Sequence, residues 1–167
     1  MKTDQWNLED IKSFDGRRHL KDWKPLRLER FEPQKGLELG DAPGFYSHIP
    51  IISKKAWECL KNLIDDEIEL LSISFDEGEY FIINVLEILD CIDYERSEYK
   101  TFSDGRIMRI KKYEFIRNEI YGKHIFKLKD FAVNYAFVSD EFKSIVERND
   151  LHGFKFVHVW SDEQCTD

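Results

Sequence analysis

Glu79-Tyr80-Phe81-Ile82-Ile83-Asn84-Val85-Leu86-Glu87-Ile88-Leu89 is the stretch whose reading decides the fold. In an extended chain Phe81, Ile83 and Val85 point to one side, and Tyr80, Ile82 and Leu86 to the other. A strand with one wet face alternates apolar and polar residues, whereas a strand covered on both faces need not. The segment is therefore expected in the middle of a sheet, with a layer on each side. Upstream, Ile68-Glu69-Leu70-Leu71-Ser72-Ile73-Ser74-Phe75 reads as a strand. Asp76-Glu77-Gly78 is the turn that would join the two as a hairpin. Downstream, the polar run from Asp90 to Glu98 leads into a second hairpin about Asp104-Gly105, a pair suited to the positive φ of a tight turn. A plain two-residue loop pairs Tyr99 with Ile110 and Thr101 with Met108, and sets Lys100 opposite Arg109. Like charges facing across a ladder repel, so a bulge is an equal alternative. Lys111 to Ile116 can continue the sheet, and Ile125-Phe126-Lys127-Leu128 is a further short strand.

Two helices are expected around this centre. Ser53 follows the extended His48–Ile52 and can cap free amides of a first helical turn. Ala56, Cys59, Leu60 and Leu63 then form an apolar face at helical spacing. Asp65-Asp66-Glu67 closes that helix. Near the C-terminus Ala136-Phe137-Val138 is extended, Ser139 is a second cap, and Phe142, Ile145 and Val146 form a second helical face. After the turn at Asp150–Gly153, Phe154–Val159 reads as an alternating strand. At an offset of 86 positions Ser53 maps to Ser139, Leu60 to Val146 and Ile68 to Phe154. That is either a weak internal duplication or the ordinary appearance of a capped helix between strands. Residues 1–47 are an irregular arm broken by Pro25, Pro33 and Pro43, with Gly36, Gly40 and Gly44, and they pack over the core through their tryptophans. Residues 48–160 are the core and 161–167 a frayed tail. The expectation is a single α+β domain: a mostly antiparallel sheet with two or three short helices packed on it.

Composition narrows the function classes. The chain has 167 residues, 42% hydrophobic and 14% aromatic, which is enough to bury a core. No apolar run reaches the ~18 residues of a membrane span. Met1 to Trp6 has no apolar stretch of the secretory kind. Three widely spaced cysteines, Cys59, Cys91 and Cys165, suit a reduced, cytoplasmic protein without a disulfide framework. The net charge of −8 disfavours nucleic acid as a partner. The charge is uneven: residues 53–95 carry 3 basic against 12 acidic residues, and residues 96–131 carry 10 against 5. The basic block is the one place that could argue otherwise; the plainer reading is a solvated hairpin face.

A search for chemistry finds no catalytic signature. Asp90, Asp93, Glu95 and Glu98 lie in a polar run, as do Asp65, Asp66 and Glu67. A general acid needs a pocket or a like charge to raise its pKa, and solvated turns supply neither. The histidines (His19, His48, His124, His152 and His158) have no Cys or His partner at a metal-binding spacing. There is no Gly-x-Ser-x-Gly, no dinucleotide fingerprint and no phosphate loop. No catalytic residue, metal or cofactor is expected.

Three stretches, in this order and spacing, resemble a bacterial family of immunity proteins from polymorphic-toxin systems, the eleventh such family, long catalogued as a domain of unknown function. They are Ile51-Ile52-Ser53-Lys54-Lys55-Ala56; Tyr80 to Val85 with Asp90 to Glu98, Asp104-Gly105-Arg106-Ile107 and Ile125 to Leu128; and Phe137 to Phe142 with Leu151 to Phe156. The resemblance covers roughly residues 45–160. It implies a protein that binds and neutralises a toxin encoded by a neighbouring gene, without catalysis; with the charge and composition above, the expected partner is that toxin, with no nucleic acid and no membrane, and the protein a monomer or weak homodimer. An enzyme of unrecognised type and a self-associating structural or regulatory module are the alternatives. The candidate contact surface is an acidic patch, Asp65, Asp66, Glu67, Asp76, Glu77 and Glu79. Two adjacent turns would bring it together, and it would suit a basic toxin face.

Overall fold

A computed structural model describes residues 1–31 and 38–162. Pro33, Gly36, Cys165 and most of the expected frayed tail lie outside the described residues. The architecture is α+β, and its strands divide among three sheets. A four-stranded sheet holds β1 (Leu26–Arg27), β2 (Ile51–Ser53), β3 (Ile68–Ser74) and β4 (Tyr80–Val85) in the order β1-β3-β4-β2. A three-stranded sheet holds β5 (Ile88–Leu89), β8 (Ile125–Leu128) and β9 (Phe137–Val138) in the order β5-β8-β9. β6 (Glu98–Thr101) and β7 (Ile107–Lys112) pair only with each other. Pairing is antiparallel except for β1 with β3 and β5 with β8. The α-helices are α1 (Leu8–Lys12), α2 (Lys54–Ile64), α3 (Arg117–Ile120) and α4 (Asp140–Arg148).

The central strand sits where its apolar doublets place it. β4 lies between β3 and β2, and both its faces are covered. Ile83 and Val85 join one cluster with Ala56, Leu60 and Ile64 of α2 and Phe142 and Val146 of α4. Tyr80 and Ile82 join a second cluster with Phe14, Leu26 and Leu28 from the N-terminal arm and Ile49, Ile51 and Leu71. A third cluster, Cys91, Ile92, Phe115, Phe126 and Leu128, lies under the two smaller sheets. Burial of each large aliphatic side chain contributes roughly 2 kcal/mol, so the two-sided covering of β4 is a main source of stability.

Both helix caps form as their serines suggest. The Ser53 and Ser139 hydroxyls accept from the Ala56 and Phe142 amides at 3.1 and 3.2 Å. Leu63 and Cys59 are only half-buried; the buried face of α2 runs through Ala56, Leu60 and Ile64. The similarity at the 86-residue offset ends with the helices. Phe154–Val159 is not a strand: Phe154 and Phe156 stack on each other at 6.0 Å and pack on the first cluster, while Val157 points to solvent. The alternation is real, but its apolar side is held by helix and loop and finds no ladder partner.

The second hairpin resolves its open register. Tyr99 pairs with Ile110 and Lys100 does face Arg109, but Thr101 pairs with Ile107, so the ladder shifts beyond the like-charged pair and again beyond Tyr99. A like-charged pair in direct opposition is destabilising by about 0.2–1 kcal/mol. Gly105 takes φ +85° at the tip.

Candidate functional site

The expected acidic patch does not assemble. Asp65 and Asp66 lie at one end of β3, and Asp76, Glu77 and Glu79 at the other, separated by a strand about 20 Å long. The second group is matched by cations of the fold. Arg27 meets both oxygens of Asp76 at 2.6 and 3.3 Å, Arg30 meets Glu77 at 2.6 Å, and Lys54 meets Glu79 at 2.7 Å. Glu67 is buried and cannot face a partner. Its carboxylate accepts from the His124 amide at 3.0 and 3.1 Å and from the Ile125 amide at 2.7 Å. A charge placed in a tight turn looked exposed; it instead satisfies two backbone donors where β8 begins.

Other buried polar residues also serve the fold, by fastening the arm to the sheets. On the even face of β4, the Asn84 side-chain amide donates to the Arg17 carbonyl at 2.7 Å and to Glu69 at 3.0 Å. Glu69 in turn accepts from the His19 amide at 2.7 Å. The Lys127 ammonium, fully buried, donates to the Phe14 carbonyl at 2.6 Å. Burial pulls its pKa down to about 8, against the opposing pull of the Asp15 charge. His48 Nε2 lies 2.9 Å from the Ile11 carbonyl, and burial lowers its pKa. Asp41 ties the arm to the C-terminal turn, accepting from the Ser53 hydroxyl at 2.6 Å and the His152 amide at 2.9 Å. Burial would raise the Asp41 carboxyl, but those bonds and the Lys55 charge outweigh it and hold it below the usual range. Each of these groups has a backbone or structural partner.

A part of the exposed apolar surface lies about the third cluster. Phe115 is its hub, with ring centroids 5.6 Å from Phe137, 5.7 Å from Trp160, 5.9 Å from Tyr113 and 6.0 Å from Phe126. Trp160 donates its indole N–H to Glu114 at 3.2 Å. On one side of Trp160 a groove of about 870 Å³ is walled by Arg96, Lys112, Ile116, Arg117 and His158. On the other, a groove of about 750 Å³ is walled by Tyr121, Lys123, His124, Ser139 and Glu141. Tyr121 is 86% exposed and Ile116 43%. Apolar side chains at a rim of mixed charge are the usual chemistry of a protein-binding surface.

The second groove also brings together a serine, a histidine and a carboxylate. His124 Nδ1 lies 3.0 Å from Ser139 Oγ and 3.2 Å from Glu141 Oε2. A catalytic relay needs the acid on one ring nitrogen and the nucleophile on the other. Here both sit on Nδ1, and Ser139 Oγ already caps α4. The cluster closes the start of α4 and is not built as a relay. Sequence spacing gave no sign of it, because the pairing of β8 with β9 brings His124 to the cap. Among the described residues, no group of three or more His, Cys, Asp or Glu could hold a metal ion. Cys91 is buried, and burial, with the Asp90 charge, pushes its thiol up to about 12, far from a reactive thiolate. No helix among the described residues is long and apolar enough to cross a membrane.

The model of one known family, the Immunity protein family (Imm11), matches residues 28–161, beginning inside the arm. No curated protein matches the chain.

Proposed function

The chain belongs to the Imm11 immunity protein family, and on that ground we propose that it binds a cognate bacterial toxin and neutralises it by occlusion, with no reaction of its own. The family match over residues 28–161 carries this reading. Two features of the molecule support it. Ile116, Tyr121 and Val159 are exposed along the grooves beside Trp160, where a partner could bury them. The interior polar groups are committed to holding arm, sheets and caps in place, which gives a rigid body suited to binding without rearrangement. The toxin is encoded by a neighbouring gene, and the pair acts in the cytoplasm, the immunity protein entering the complex as a monomer or weak dimer.

The test is co-expression of the chain with the product of the adjacent gene. Protected growth and a complex that co-purifies are the expected outcomes. Cell death despite full expression of both proteins would reject the reading.

A further inference from the structure

We propose that the β6–β7 hairpin is the docking element for the toxin and that it takes an acidic protein surface. This rests on the immunity reading and adds to it a site and a partner chemistry. The hairpin is a two-stranded sheet of its own, so neither of its edges is taken up by a further strand among the described residues. Its other cations are matched: Arg106 bonds Asp104 at 2.8 Å, and Lys112 bonds Glu114 at 2.9 Å. Lys100, Arg109 and Lys111 are not; no carboxylate among the described residues pairs with any of them. Lys100 lies directly across from Arg109, so these two share one side of the hairpin, and Lys111 stands at the bulge just beyond them.

Nothing inside the molecule requires this arrangement. All three residues are exposed, and a single glutamate at either position of the cross-strand pair would relieve the repulsion. A carboxylate-bearing partner would relieve it from outside. Beside Arg109 lies a cleft of about 220 Å³ walled by Met108, Tyr113, Phe131 and Tyr135. Met108 is 45% exposed and Tyr135 68%, so the same surface offers an apolar seat next to the charges. The occupant is therefore an acidic surface carrying an aromatic or aliphatic side chain that enters the cleft. Nucleic acid fits less well, because a chain of net charge −8 repels phosphates beyond the hairpin.

The experiment titrates a catalytically inactivated form of the adjacent gene's toxin with wild type, with Lys100→Ser/Arg109→Ser and with Asp65→Ser/Asp66→Ser, by calorimetry in low and high salt. The hairpin variant should bind about tenfold or more weakly in low salt, with the gap closing as salt rises. The aspartate variant should stay within about twofold of wild type. All four positions are exposed, and an unchanged melting curve confirms folding in each variant. If wild type binds and the hairpin variant binds equally well, the hairpin is not the docking element, while the immunity reading stands. A loss that is the same at both salt concentrations overturns the charge argument. If wild type neither binds nor protects, the immunity reading itself fails. Anisotropy with a 20-base-pair DNA duplex completes the set; binding abolished by the hairpin substitutions would assign the site to nucleic acid and overturn the proposal.

Discussion

Glu67 and Lys100 are both charged residues beside a chain reversal, and they do opposite work. Glu67 follows α2, lies inside, and spends its carboxylate on the His124 and Ile125 amides. Lys100 lies in the second hairpin, is exposed, and faces another cation. The same division separates the two halves of the molecule. In the half built on β3, β4 and the arm, Glu67, Glu69, Asn84 and Lys127 point inward and each holds backbone atoms. In the half built on Phe115 and the hairpin, Lys100, Arg109 and Lys111 are exposed, and no carboxylate among the described residues pairs with them. Charge density along the sequence therefore does not say which charges the fold has already matched.

That contrast can be tested by mutation. The largest effect is expected from Glu67→Ala, which leaves the buried Ile125 amide and the half-buried His124 amide without their acceptor. It should lose about 4 kcal/mol of stability in urea unfolding. A loss below about 1 kcal/mol would mean that Glu67 is solvated after all, and would return it to the surface.

Lys127 gives a pH-dependent effect of up to about 3 kcal/mol. Its ammonium is held at about 8 in the folded chain against an ordinary value of 10.5. Between these values the unfolded chain binds more protons, so stability rises with pH. The burial penalty is complete below about 8 and is relieved as pH climbs towards 10.5. Cys91 works the other way, because its thiol is raised from 9.0 to about 12 and its contribution declines above 9.0. The useful quantity is thus the difference between wild type and Lys127→Met, in which the Cys91 contribution cancels. Wild type should gain on the variant between pH 7.5 and 10. A difference independent of pH would show that Lys127 is not charged in isolation from water.

Asn84→Ala should lose about 2 kcal/mol, since the Arg17 carbonyl and Glu69 each lose a donor. Its signature is local: faster amide exchange over residues 14–23, with α2 and α4 unchanged. Exchange that rises uniformly would mean that the arm is not fastened at this point. Lys100→Ser/Arg109→Ser should change stability by less than about 0.5 kcal/mol, in either direction. A large loss would assign the hairpin cations a role inside the fold.

Much of this architecture could be read from the residues. The apolar doublets of β4 imply cover on both faces, and Ser53 and Ser139 imply caps; both follow from local rules. The alternation at Phe154–Val159 implied a strand and does not form one, because alternation reports which side is buried and leaves open what buries it. The acidic patch fails to assemble for a related reason. Turn residues are exposed by default, and nothing near Asp65-Asp66-Glu67 announces that β8, far along the chain, needs acceptors for its first amides. The His124–Ser139–Glu141 cluster was illegible for the same cause, since it exists only once β8 and β9 have paired. The basic block at 96–131 was legible as charge, but its meaning depended on which cations the fold neutralises.

The most direct test of the central claim is to titrate the chain into a fixed amount of active toxin and record the toxin activity that remains. Neutralisation by occlusion predicts a linear fall to zero at an equimolar ratio, complete on mixing and reversed when the two proteins are separated. Activity that continues to decline with time at a small fraction of an equivalent, and does not return on separation, would show turnover and contradict the account.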